Sequence, residues 1–264
     1  FFVKHQARIV FVHFIVILFL FLSMLKSNLN FIYYIIMIVH QIYGLYDDGK
    51  EMPPLFQASH KSWKEYCDKN NYIYKLWNKK QIEELIDTYN ELKYFYDVKY
   101  PVMKVDIARF IIIYQFGGLY VDLDVLPNKE CIDIEEDKLS LCKYINKKEL
   151  CDIEILYSPK YNKLLYEYVA DYIPKQIEEK DKIDIYKKWK IRYIFQTTGP
   201  QSFIRFIKYR KIDYDLILTL SLDKNIKFKD IETSKIYNIE DVDCLSYYSI
   251  SYNPHNKDMS YKKF

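Results

Sequence analysis

Val105-Asp106-Ile107-Ala108-Arg109-Phe110-Ile111-Ile112-Ile113-Tyr114-Gln115-Phe116-Gly117-Gly118-Leu119-Tyr120-Val121-Asp122-Leu123-Asp124-Val125 is the stretch whose reading decides the fold. Pro101 just upstream suits the first turn of a helix, where its missing N–H is no loss. Ile107, Phe110, Ile111 and Tyr114 then recur at helical spacing and predict a core face over 101–116. Asp106 and Arg109 fall on another face, where the simplest reading is a surface ion pair worth about 0.3–0.5 kcal/mol. Gly117-Gly118 predicts a left-handed helix end. A strand follows, and a strand sends residues i and i+2 to one face, so Asp122 and Asp124 are expected to project together with Val121, Leu123 and Val125 packed behind. Two neighbouring carboxylates repel unless a cation lies between them. A hard divalent ion with oxygen ligands, Mn2+ or Mg2+, meets that demand.

Working outward, the pattern alternates between strands and helices. Strands are predicted at 37–43, 72–77, 139–144 and 153–157, and helices at 58–69, 79–95, 164–177 and 201–209. Residues 215–252 alternate weakly and are expected to hold edge strands. That order implies an α/β protein with helices on the faces of a sheet. No internal repeat and no low-complexity linker interrupts it.

The chain has 264 residues, with 39 basic and 36 acidic side chains and a net charge of +3. This balance predicts no strong attraction to nucleic acid or to a membrane surface from net charge alone. Glycine occurs only five times against 28 tyrosines, so each glycine is expected where the backbone needs it. Cysteines stand at 67, 131, 142, 151 and 244 with no C-x-x-C pair, which argues against a zinc site. They are read as free thiols, with Cys142–Cys151 the alternative bridge in an oxidising compartment. Ile9 to Leu25 is almost wholly apolar, flanked by Lys4, Arg8 and Lys26, and long enough for a signal anchor. Two readings stand: an anchor for a Golgi- or ER-type single-pass protein, or translated upstream bases with Met24 or Met37 as the start and a cytoplasmic protein. The expected division is an apolar segment 1–36 and one domain, 37–264.

The D-x-x-R, G-G-x-Y and D-x-D elements of the opening stretch resemble, in order and spacing, the sugar-binding region of the D-x-D glycosyltransferases. That family includes yeast initiating α-1,6-mannosyltransferases and capsular polysaccharide transferases, and its core is related to the clostridial glucosylating toxins. Ile38-Val39-His40-Gln41-Ile42-Tyr43-Gly44 resembles the family's opening strand, Tyr72 to Trp77 its second strand, and Thr197-Thr198-Gly199-Pro200 its late T-G-P turn. The resemblance implies a GT-A-type fold, a single mixed sheet flanked by helices. It implies a metal-dependent, retaining transfer of a hexose from a nucleotide-diphosphate sugar to a glycan, protein or lipid acceptor. Asp124 is then expected to contact Mn2+ or Mg2+, with Asp122 beside it. Asp106 and Arg109 would hold donor-sugar hydroxyls or phosphate, since a guanidinium fork suits such oxygens. Tyr43, where the family usually has Trp, would stack on the base, with Gln41 and Ile42 lining its pocket and Gly118 and Tyr120 completing the donor site. Relatives carry a late closing segment, for which Asn253 and His255 are the nearest substitutes. The alternatives are a haloacid-dehalogenase-type phosphatase, whose motif is also an apolar strand ending in D-x-D, and a degenerate nucleotide- or carbohydrate-binding module.

Overall fold

The computed structural model describes residues 37–45, 51–145, 151–222 and 239–247. The apolar run 9–25, Asn253 and His255 lie outside them. Among the described residues no helix is long and apolar enough to cross a membrane.

The described strands are β1 (Ile38–Ile42), β2 (Ile73–Trp77), β3 (Gly118–Val121), β4 (Val125–Pro127), β5 (Ser140–Tyr144), β6 (Asp152–Ser158), β7 (Asp215–Ser221) and β8 (Cys244–Ser246). They form one mixed sheet in the order β2-β1-β3-β6-β5-β7-β8-β4. The order mixes parallel pairs (β1 with β2 and β3) and antiparallel ones (β6 with β3 and β5), as expected for a mixed α/β sheet. β7 was expected at an edge but is interior, parallel to β5 on one side and to β8 on the other.

The helices are α1 (Pro54–Asn70), α2 (Lys79–Ile86), α3 (Pro101–Phe116), α4 (Lys163–Glu167), α5 (Ile173–Asp181), α6 (Asp184–Lys188), α7 (Lys190–Thr197) and α8 (Pro200–Arg210). Strand alternation divides the core between them. Val39, Leu119 and Val121 face Trp63, Tyr66 and Cys67 of α1. Ile42 and Tyr120 point the other way, into a larger core with α3 and α8. A helix over 79–95 was expected. Instead α2 ends at Ile86 and a short 3-10 helix runs Asn90–Tyr96.

The strand order has a geometric consequence. β4 lies five places from β3, which is ~24 Å across a flat sheet. Yet residues 122–124 alone connect them, and that linker reaches ~14 Å at most. The sheet therefore rolls round until its far edge returns to β3. α1 holds the seam: the Ser59 hydroxyl and the Trp63 indole N–H both donate to the Val125 carbonyl, at 2.6 and 2.9 Å. The D-x-D sits on this seam.

Candidate functional site

α3 runs over the predicted span, but its surroundings differ from the amphipathic reading. Every residue from Val105 to Ile113 is buried, because the helix is enclosed by the sheet and by α4, α8 and their neighbours. Asp106 and Arg109 are each only 4% exposed, so they form no surface pair. Gly117 closes the helix at φ 69°, ψ −178°, which is not the left-handed cap expected. The chain must enter β3 at once, and glycine alone adopts this backbone readily. Gly118 has φ +98°, and a Cβ there would lie 2.2 Å from the Ile38 carbonyl oxygen. It was expected in the donor site. It stands instead at the opposite end of β3 from Asp122, where it serves the close approach to β1.

The two acids are not on a strand. β3 ends at Val121, the Asp122 N–H extends the ladder by one bond to Glu154 O (2.8 Å), and the chain then turns. Val125 N–H closes the turn on Asp122 O at 3.2 Å. Asp122 and Asp124 are brought together by this turn, not by strand alternation, because the rolled sheet leaves only these residues to reach β4. Val121, Leu123 and Val125 are buried behind them as expected.

Asp122 is gripped from below. Arg109 Nη2 lies 3.4 Å from its Oδ1 and Arg109 Nη1 3.5 Å from its Oδ2. The Tyr120 hydroxyl donates to Oδ1 at 2.6 Å, and the Arg109 guanidinium lies over the Tyr120 ring. Arg109 also reaches Asp106 Oδ1 (3.2 Å) and donates to Ile153 O (2.7 Å). Thr198, from the T-G-P turn that opens α8, donates to Asp106 Oδ2 at 2.8 Å. The turn, α3 and β3 thus converge on one charge network.

Burial pushes the Asp106 carboxyl up to about 6, against the opposing pull of Arg109 and the Thr198 hydroxyl. Burial likewise lifts Asp122 to about 6; Arg109 opposes this, neighbouring Asp124 adds to it, and Tyr120 opposes it. The Asp122 side chain keeps 29% of its exposure while that of Asp106 keeps 6%, so Asp122 is the face this network shows outward. Asp124 is half-buried.

β1 ends beside the same turn. Gln41 Nε2 donates to Asp122 O (3.3 Å) and Ser59 Oγ (3.1 Å), and its Oε1 accepts from the Tyr74 hydroxyl (2.6 Å). Gln41 therefore positions the D-x-D turn with its side chain. Ile42 is buried, and half-buried Tyr43 follows it at the strand end with its N–H on Trp77 O. His40 is structural. The Trp77 N–H donates to its Nδ1 (3.1 Å), so Nε2 carries the proton and donates to Gly117 O (2.8 Å). Burial holds its pKa down, to about 4.

Two acids were missed. Asp152 and Glu154 lie on β6 as another i, i+2 acidic pair in an apolar strand, the same signal that singled out the D-x-D. Glu154 is 6% exposed. Burial, then Asp152 and Asp124, raise its carboxyl well above the usual range. Ser246 donates to its Oε2 (3.3 Å), and the Tyr144 and Ser246 hydroxyls lie 3.3 Å apart. Nothing local in the sequence marks Ser246. All five cysteines are free thiols, so Cys142 and Cys151 do not bridge. Among the described residues no group of three or more His, Cys, Asp or Glu is placed to hold a metal ion.

Residues 53–141 match the family described as the glycosyltransferase sugar-binding region containing DXD motif, a segment that includes Asp106, Arg109, Asp122 and Asp124. Among particular proteins, inositol phosphoceramide mannosyltransferase 1 of Schizosaccharomyces pombe is 31% identical over 64 residues, 24% of this chain and 20% of the relative. Mannosyltransferase 3 of the same name and organism is 38% identical over 61 residues, 22% of this chain and 17% of the relative. The chain thus matches about a fifth of the length of these relatives. Of solved structures, the PaToxG glycosyltransferase aligns at a TM-score of 0.44 and 12% identity, over 66% of this chain and 69% of that one. A glycosyltransferase involved in glycosylation of the major capsid of PBCV-1 aligns at 0.38 and 11%, over 80% and 94%.

Proposed function

We propose that this chain is a metal-dependent, retaining glycosyltransferase that moves a hexosyl group from a nucleotide-diphosphate sugar to a glycan, protein or lipid acceptor. The observation that carries the reading is the grip of Arg109 and Tyr120 on Asp122, with Asp106 behind, inside the segment that matches the sugar-binding region. A phosphatase that used Asp122 as its nucleophile would need that carboxylate unencumbered. Here both of its oxygens lie against Arg109, and Oδ1 also accepts from Tyr120.

The donor set of the D-x-D suits a divalent ion. Asp122 and Asp124 offer hard oxygens at a partly open turn, with Asp152 adding to the negative field. Asp124, with Asp122 beside it, would hold Mn2+ or Mg2+; such sites take one or two carboxylates and fill the rest from substrate phosphates. When bound, the ion offsets charge gathering on the departing diphosphate. The protein's own part is positioning. Arg109 and Asp106 fix Asp122, Gln41 fixes the turn, and Tyr43 with Ile42 at the end of β1 offers a surface for the base. The names of the fission-yeast relatives make a mannosyl donor and an inositol phosphate-bearing lipid the first pair to assay.

The test is a thermal-shift screen of UDP- and GDP-sugars with and without Mn2+, followed by donor hydrolysis. A ligand at 100 times its Kd adds about 2.7 kcal/mol of stability, a readily measured shift. Metal-dependent stabilisation with slow donor hydrolysis is expected. Cleavage of p-nitrophenyl phosphate in preference to any nucleotide sugar would overturn the reading in favour of a phosphatase. Stabilisation with no turnover of any donor would reduce the protein to a binding module.

A further inference from the structure

The large apolar side chains left in water are not scattered. Of the ten exposed ones among the described residues, four (Ile183, Ile185, Trp189 and Ile191) fall within nine positions around the corner between α6 and α7. Trp189, at the corner itself, is 58% exposed. Lys188 to Arg192 are five consecutive exposed residues that alternate cation and apolar side chain: Lys188, Trp189, Lys190, Ile191, Arg192. No acidic residue occurs between Ile185 and Tyr193. A pocket of about 850 Å3 opens between this corner and the start of α8, lined by Trp189, the three cations and Phe195.

Isolated exposed apolar residues need no explanation, but clustered ones rimmed by polar groups mark an interaction surface, and past Asp184 every charge here up to Arg192 is positive. The composition here favours one partner. Tryptophan prefers the water–lipid boundary, where its ring is apolar and its N–H stays wet. Lysine and arginine run their stems along apolar surface and keep their charge outward. α6 and α7 have five and eight residues, far fewer than the ~20 needed to span a bilayer, so contact through them is interfacial.

We propose that the α6–α7 corner docks on the surface of an anionic bilayer, with Trp189, Ile185 and Ile191 entering the headgroup region and Lys188, Lys190 and Arg192 meeting acidic lipid headgroups. The assignment is independent of the transferase reading. α7 is about 12 Å long and ends at Thr197, next to the Thr198 that holds Asp106, so docking would bring the D-x-D network close to the lipid surface.

Tryptophan fluorescence tests this directly. The chain has three tryptophans, and Trp63 and Trp77 are 0% and 3% exposed, so an environmental change of emission reports Trp189. The full-length protein is mixed with phosphatidylcholine vesicles, with vesicles carrying phosphatidylserine, and with inositol hexakisphosphate; Trp189→Phe supplies the background. A blue shift and quenching by brominated lipid are expected with phosphatidylserine vesicles alone. In the triple variant Lys188→Glu, Lys190→Glu, Arg192→Glu, the affinity read from this signal should drop at least on the order of 100-fold, about fivefold for each of the three cations removed. These side chains are exposed, and far-UV circular dichroism confirms that the variant folds. Because the signal comes from the corner itself, it is read correctly even when residues 9–25 also hold the protein to the vesicle. Sedimentation with vesicles while Trp189 stays unshifted would show the corner in water and overturn the proposal. So would equal shifts with neutral and anionic vesicles. A shift with inositol hexakisphosphate but no quenching by brominated lipid would replace the bilayer with a soluble anion.

Discussion

At the scale of single residues the site is a contest between burial and pairing. Asp106 and Asp122 are both lifted toward neutrality by burial, and Arg109 between them resists. Removing one partner of a buried ion pair typically costs 3–5 kcal/mol, because a charge is left uncompensated. Arg109→Lys keeps the charge but cannot meet Asp106, Asp122 and Ile153 O together. It should lower stability by about 1–3 kcal/mol, as expected when a buried acceptor loses its donor, and raise KM for the donor. Urea unfolding and initial rates check both; an unchanged KM would make Arg109 a purely structural pair with Asp106. Asp124→Asn should separate the two acids. Asp124 adds to the strain on both Asp122 and Glu154, so its neutral variant should be at least as stable as the wild type without metal. Its turnover, and the stabilisation that Mn2+ gives with nucleotide, should vanish. Full Mn2+-dependent activity would sink the metal assignment.

At the scale of elements, α3 was legible to the residue because Pro101 and Gly117 punctuate it. The spacing of one stretch also singled out Asp106, Arg109 and Asp122, which the fold brings together. Their mode of presentation was not legible. The D-x-D turn depends on β4 pairing with β8, whose three residues lie more than a hundred positions downstream in the weakly alternating stretch, where nothing local names β4 as the partner. Burial of Asp106 and Arg109 similarly depends on which helices later cover α3. β1 shows another long-range device: His40 ties the strand to the Gly117 turn and to Trp77. With a folded pKa of about 4 against 6.5 when unfolded, the unfolded chain binds more protons between these values. The stability from neutral His40 is therefore fully present above pH 6.5 and is lost as pH falls toward 4, about 3 kcal/mol in all. Asp106 and Asp122, lifted by burial, act with the opposite sign in the same window, so the wild-type curve alone mixes the effects. The difference in unfolding free energy between wild type and His40→Gln removes the carboxylates. That difference should fall by about 3 kcal/mol from pH 7 to pH 4. A constant difference would show that His40 titrates alike in both states.

At the scale of the whole molecule, the rolled sheet joins its far edge to the D-x-D turn. β8 pairs with β4, the Tyr247 N–H donates to Asp124 O (2.9 Å), and the neighbouring Ser246 donates to Glu154 beneath the same turn. The D-x-D is thus braced from β6 and from β8 together, and Glu154 is where the braces meet. Burial raises the Glu154 carboxyl well above its ordinary range, and glutamine matches the shape of its protonated form. Glu154→Gln keeps the buried side-chain volume and should fold normally, at a smaller cost in stability than truncation. Glu154→Ala empties a buried site and breaks the link, and should cost more, with Ser246→Ala losing part of the same contact. If the two residues act as one brace, the Glu154→Ala and Ser246→Ala effects will fall short of additive by roughly 0.5–3 kcal/mol in a double-mutant cycle. The cycle should also appear in donor turnover, since loosening β8 frees the Asp124 backbone. Strict additivity in stability and rate would mean that β8 and β6 support the turn separately. A collapse of turnover in Glu154→Gln with intact stability would mean that Glu154 ionises during the reaction and acts on the donor or its metal.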